Sequence, residues 1–298
     1  MQAANGSIGN GAHKIVIDPA GQYVYFLDQN NSTTNMQIWR VPTAGGPGVV
    51  VAGGLNWPVS IAVDSANLYW TSITESTVVA QSLSNSTRRT LATGQYFPMD
   101  LVVRDATTVY WSGCTNSNAT NCSVWSIPVS GGTPSPVYTL SGGGNPSLAI
   151  LLPNLYVTSA GLRQVVSIAI APGGSNTSID ANRDFGGVDA SAGRVAWVVS
   201  RSAIGTFDGL VKGMSVGGLS RTVASGQAPW GVAVDATNAY WVTDSGNNNQ
   251  AIYKAGITSG SPTLVLDNVR TYGVAVDANY VYFLGSAGWF NGLFRTPK

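Results

Sequence analysis

Seven times along these 298 residues, a short apolar run meets an acidic or turn residue and an aromatic-rich run follows at once. The copies read KIVIDPAGQYVYFLD, SIAVDSANLYWTS, LVVRDATTVYWSG, SLAILLPNLYVTS, GGVDASAGRVAWVVS, GVAVDATNAYWVTD and GVAVDANYVYFLG. Self-similarity at a spacing of about forty residues marks a repeat architecture, in which each unit buries its apolar faces only against its neighbours. Alternation of period two, with turn residues at every break, makes the pieces strands, and no helical stretch is legible. A four-stranded unit of this length is a propeller blade. The expected fold is all-β: a seven-bladed β-propeller of four-stranded antiparallel blades.

One blade can be written out from Trp57 to Tyr96. Its strands are expected at Ser60–Asp64, Leu68–Ser72, Thr77–Ser84 and Arg88–Thr93, the first two joined by the turn Ser65-Ala66-Asn67. Small and β-branched residues suit the narrow innermost strand, and the aromatic pair of the second strand fills the space between blades. No linker or charge block interrupts the repeat, so residues 1–298 read as a single domain. Its blades fall at approximately 13–56, 57–96, 97–144, 145–184, 185–228, 229–270 and 271–298. The last copy has only three strands before the chain stops. Because an open edge invites pairing, residues 1–12 are expected to supply the missing outer strand, with a three-stranded last blade as the alternative.

Charged residues make up only 10% of the chain, and the net charge is +1. Binding to a phosphate backbone needs a clustered basic face, and only Arg88-Arg89 places two cations together, so nucleic acid is excluded as a partner. The apolar runs fall far short of the ~18 residues of a membrane span. No signal peptide is legible at Met1-Gln-Ala-Ala-Asn-Gly, which reads as the start of a mature chain. Cys114 and Cys122 bracket one loop between two expected strands, close enough to bridge; two free surface thiols are the alternative. A bridge implies an oxidising location: secreted, periplasmic or at the cell surface. Asn-X-Ser/Thr triplets occur at Asn5, Asn30, Asn31, Asn85, Asn118, Asn121 and Asn176, many of them expected by chance in a chain this rich in Asn, Ser and Thr; if the host glycosylates, they mark surface loops.

Asp64, Asp105, Asp235 and Asp277 each stand six residues before an aromatic residue of the second strand. Acids recurring at one repeat position suit a turn, where the carboxylate accepts bonds from the next backbone N–H groups, better than a metal. Positions where the repeats disagree are more telling. Near the start of the first strand they are His13, Val59, Asp100, Trp230 and Tyr272, with about Pro146 and Gly186 in the looser copies. Trp57, Phe97, Phe185, Arg183 and Asp184 lie in the same set of connections. The expected ligand-binding set at the mouth of the central channel is therefore His13, Trp57, Asp100, Arg183, Asp184, Trp230 and Tyr272, with aromatic plugging of the channel as the alternative. Catalysis is poorly provisioned. There is one histidine and one glutamate, Glu75, and neither a nucleophile elbow nor a phosphate-cradling motif is present.

The phrases LYWTS, VYWSG, AYWVTD and VYFLD resemble the YWTD repeat of lipoprotein-receptor propellers, and GVAVD followed by an aromatic strand is similar to NHL-type repeats of secreted bacterial propellers. The resemblance implies a propeller along nearly the whole chain. Two departures stand out: the receptor ring has six blades against seven copies here, and Tyr-Trp-Thr-Asp is never intact. Virginiamycin B lyase and gluconolactonase-like enzymes are also propellers. Likeness to them would imply an axial metal held by histidine and acids, or by Glu, Asn and Asp, and neither set can be matched to residues of this chain. The expected function is that of a secreted or surface monomer recognising a protein, a glycan or a small polar ligand. No cofactor is expected, an axial calcium or magnesium being the exception to weigh. A lyase or lactonase-like hydrolase with an axial metal or substrate is the alternative.

Overall fold

In the computed structural model the described residues are 14–28, 34–114, 122–140, 146–159, 163–171, 174–181, 185–199, 208–244, 250–287 and 290–298. Every regular element among them is a strand. Five sheets each contain four consecutive antiparallel strands in sequence order. Their first strands are Ile15–Ile17, Pro58–Val63, Leu101–Arg104, Ser147–Leu151 and Phe185–Ser191. The sixth sheet opens with Pro229–Val234 and runs on into the seventh through one long strand, Thr263–Val276, which is followed by Tyr280–Ala287 and Phe290–Pro297. Seven repeats have thus become six four-stranded sheets and a seventh with three described strands. Residues 1–12, expected to complete it, lie outside the described residues.

The chain divides into two compact units, Met1–Gly143 with Phe290–Phe294, and Gly144–Trp289 with Arg295–Lys298. Within the first unit, the first strands of the first three sheets are neighbours. Within the second, Ser147–Leu151, Phe185–Ser191, Pro229–Val234 and Thr263–Val276 follow one another in the same way. In the cleanest repeat the strands are Pro58–Val63, Asn67–Ser72, Thr77–Ser82 and Arg88–Ala92. The first begins two residues earlier than expected, because Pro58 pairs with Ser72 across a register shift that ends at Ile61.

Alternation along the second strand decides the packing, since neighbouring side chains of a strand point to opposite faces. Trp70 packs with Leu27, Met36 and Ile38 of the preceding sheet, whereas Tyr69 packs with Val109, Trp111 and Ile127 of the following one. In the second unit Trp197 faces back onto Tyr156 and Val165, and Trp241 faces back onto Val198, Val211 and Val223. Trp70, Trp111, Trp197 and Trp241 are all buried, as packing residues should be. The Tyr69–Trp70 pair therefore serves two interfaces, the tryptophan toward one neighbour and the tyrosine toward the other. Truncating such a residue costs about 3–5 kcal/mol.

Polar groups join the sheets where apolar side chains run out. Arg88 and Arg89, adjacent on an outer strand, reach in opposite directions. Arg88 donates to Gly53 O at 2.9 Å in the preceding sheet, and Arg89 to Ser130 O at 2.6 Å after the third strand of the following one. The threonine of the second-strand phrase also has a defined use. Thr71 Oγ1 donates to Met99 O at 2.8 Å, and Thr158 Oγ1 to Gly186 O at 2.5 Å, each tying a second strand to the next sheet. Cys114 and Cys122 stand directly opposite each other on paired strands and form a disulfide.

Candidate functional site

Each sheet has two ends. At one, the first and second strands meet in a tight turn; at the other, the chain arrives from the previous sheet's fourth strand. The tight-turn end is built by the recurring aspartate. Asp64 Oδ1 accepts from the N–H groups of Ala66 and Asn67 at 2.7 Å, and its Oδ2 accepts from the Tyr69 hydroxyl at 2.7 Å. Asp235 and Asp277 repeat the arrangement with Tyr240 and Tyr282. Burial, then the partner carboxylate, pushes all three phenols well above the ordinary tyrosine value. Burial would also raise Asp235, but the Lys298 ammonium at 2.6 Å, the two amides and the Tyr240 hydroxyl outweigh it and hold the carboxyl below its usual range.

Asp105 departs from this scheme. Thr108 pairs with Arg104, which shortens the turn, and Thr107 N–H donates to Arg104 O at 2.7 Å. Asp105 is left exposed with φ 39, and no hydrogen bond from its side chain is found among the described residues. The expectation of a turn carboxylate is corrected there: the same residue at the same spacing accepts none of the turn bonds, because the pairing register is shifted by one.

An open depression of ≈ 410 Å³ lies at the tight-turn end of the second unit, lined by Ser191, Val234–Thr237, Val276–Ala278 and Lys298. Its carboxylates are engaged by their own turns, and its ammonium by Asp235. Among the described residues, no three His, Cys, Asp or Glu side chains are placed to hold a metal ion.

The opposite end carries exposed aromatics. Among the described large hydrophobic side chains, the exposed aromatic ones are Trp57 at 45%, Tyr96 at 56% and Trp230 at 58%, and all three sit where the chain enters a first strand. Two of these connections are held in an uncommon backbone shape. Trp57 has φ 40 and Phe97 has φ 43, each directly before a proline. A bulky residue in that region costs of order 1–3 kcal/mol and persists only where its surroundings hold it. Here Trp57 O accepts from Ile73 N–H at 3.2 Å, while Tyr96 O accepts from Cys114 N–H at 2.8 Å.

The sequence-derived set resolves unevenly. Trp57 and Trp230 are solvent-facing in the first and second unit respectively. Asp100 is committed to joining sheets: it forms an ion pair with Lys14, accepts from Ser60 Oγ at 2.7 Å and from Leu101 N–H at 3.0 Å. Those contacts link the first strands, or the residues beside them, of three consecutive sheets. Phe185 is buried in the core of the second unit. His13, Arg183 and Asp184 lie outside the described residues, as does the side chain of Tyr272. Sequence reading missed Asn56, Glu75 and Tyr96. Tyr96 adjoins the flagged Phe97, and Glu75 is the sole glutamate, but nothing in the repeat pattern reveals that the connections of Trp57 and Tyr96 flank the turn that bears Glu75.

The NHL repeat family matches residues 227–250, the sixth repeat's first two strands. No curated protein matches this sequence significantly. Among solved structures, a chain of a nidogen–laminin complex is similar at 18% identity and TM-score 0.56, over 68% of this chain and 75% of that one. Oligogalacturonate lyase in complex with manganese is similar at 8% identity and TM-score 0.70, over 99% and 89%. The β-propeller domain of the Trilobed protease from Pyrococcus furiosus, which has an open velcro topology, is similar at 8% identity and TM-score 0.66, over 97% and 94%. At such identities the likeness carries the fold and no activity. The chain is an NHL- and YWTD-like β-propeller.

Proposed function

We propose that this protein is a secreted or cell-surface binding protein that takes a protein, a glycan or a small polar ligand at the connections through which the chain enters its first strands. One observation carries the reading. The fold buries its aromatic side chains between sheets, yet Trp57, Tyr96 and Trp230 are left in solvent at the same kind of connection. Exposed aromatics on a rigid scaffold are typical anchors for recognition, since they offer a large contact area at low entropic cost. The disulfide between Cys114 and Cys122 supports the oxidising location, and the sparse charge of the chain favours polar, neutral contacts over electrostatic capture.

The test is a thermal-shift screen of the purified chain against soluble oligosaccharides, amino acids and small polar metabolites at millimolar concentration. A ligand present at 100 times its Kd stabilises the native state by about 2.7 kcal/mol. Each ligand found is then remeasured with Trp57→Ala and Trp230→Ala. Loss of affinity in either variant supports the reading. Ligands that bind both variants as well as the parent place recognition elsewhere, and a panel that stabilises nothing overturns the small-ligand version.

A further inference from the structure

Within the first unit the exposed aromatics are parts of one built surface. The turn Ile73–Ser76 closes on itself through Ser76 N–H to Ile73 O at 3.2 Å. On one flank Ile73 N–H donates to Trp57 O; on the other, Ser76 O accepts from Gln95 N–H at 2.9 Å. The turn is thereby clamped between the connection bearing Trp57 and the connection bearing Tyr96. Its exposed tip carries Glu75, and Asn56 Nδ2 donates to Glu75 Oε1 at 3.0 Å. Ser72 braces the pair, accepting from Glu75 N–H at 3.2 Å and donating to Asn56 O at 2.6 Å. A carboxylate on the turn, held by an amide of one connection, thus stands between two connections that each carry an exposed aromatic residue.

We infer that Trp57, Asn56, Glu75 and Tyr96 form a subsite for a neutral carbohydrate chain, an inference that rests on the binding role proposed above. The apolar C–H face of a pyranose ring suits an aromatic platform, and the ring's hydroxyls need acceptors at its edge. Asn56 occupies one oxygen of Glu75 and fixes the group, so the second carboxylate oxygen and the Asn56 side-chain Oδ1 serve as those acceptors. The negative charge disfavours uronate or sulfated sugars. Spacing argues against a cage for a quaternary ammonium. The two connections lie on opposite sides of a turn, about 14 Å apart at three strand spacings, which is too wide to close around one small cation and wide enough to seat successive sugar rings.

The test uses isothermal titration of the intact, oxidised chain with cellotetraose, mannotetraose, maltotetraose and galactotetraose, and with tetragalacturonate and choline as contrasting probes. At least one neutral tetrasaccharide should bind, and Trp57→Ala and Tyr96→Ala should each weaken it by about 10-fold. Glu75→Ala should weaken it several-fold, with the thermal midpoint of every variant unchanged because the side chains are exposed. Four outcomes are informative. Binding of a neutral sugar that all three substitutions weaken supports the subsite. Binding that none of them affects overturns it. Binding of tetragalacturonate or choline alone, lost in Trp57→Ala, overturns the neutral-sugar class while leaving the binding role standing. No binding by any probe overturns the subsite, and the broader screen then decides the binding role separately.

Discussion

Asp64→Ala and Asp105→Ala change the same residue at the same repeat position, and the structure assigns them opposite consequences. Asp64 is only 4% exposed and receives three hydrogen bonds, two from turn amides and one from the Tyr69 hydroxyl, all at 2.7 Å. Bonds to a charged acceptor contribute roughly 1.5–3 kcal/mol each, and contributions within one cluster are not additive. A loss of about 3–5 kcal/mol is expected for Asp64→Ala, whereas Asp105→Ala should cost no more than about 1 kcal/mol, because only its positive-φ backbone disfavours alanine there. Tyr69→Phe removes one of the three bonds and leaves Asp64 Oδ2 buried without that donor, at about 1–3 kcal/mol. The double variant should then cost at least about 0.5 kcal/mol less than the sum of the singles, since the two side chains share a bond. The assay is urea unfolding of the oxidised chain followed by tryptophan fluorescence, with the slope checked for constancy so that midpoints compare stability alone. Equal effects of Asp64→Ala and Asp105→Ala would refute the reasoning, because they would show that the side-chain bonds of the turn carry no weight. Strict additivity of Asp64→Ala with Tyr69→Phe would refute the tyrosine's part in it.

Three further outcomes are expected. Because Asp235 is held below its ordinary value, the stability it contributes is complete above the unfolded-state carboxyl pKa of about 4 and is lost as the pH falls below that. Parent and Asp235→Asn should therefore differ most in urea midpoint at neutral pH and converge below pH 4; a constant gap would contradict this. Trp111→Ala should cost about 3–5 kcal/mol from its fully buried site, whereas Trp230→Ala, more than half exposed, should leave the thermal midpoint almost unchanged. Replacing both Cys114 and Cys122 by serine removes a link between residues eight apart and should lower stability by about 2–3 kcal/mol, measured against the parent under non-reducing conditions.

The repeat itself was legible because it obeys local rules. Alternation, turn residues and spacing mark strands without knowledge of their partners, and a strand's pleat sends Tyr69 and Trp70 to opposite faces whatever lies there. The bridge between Cys114 and Cys122 was equally local, since two residues at the base of one hairpin meet once its strands pair. Asp100 shows where such reading stops. Its variability among the repeats suggests a ligand contact, yet its carboxylate is used by Lys14 and Ser60, which lie 86 and 40 residues away. Asp105 shows the same limit on a smaller scale, where a one-residue change in pairing removes every bond its counterpart makes.

Sequence alone determined the number and kind of units, because strand period and turn chemistry are properties of a few adjacent residues. Tertiary structure decided which exposed groups stand together. The turn bearing Glu75 lies between the connections of Trp57 and Tyr96 only because backbone bonds tie a second-to-third-strand turn to both. Those bonds depend on the register of paired strands and the seating of one sheet on the next, which are fixed by packing over distances that no local pattern records.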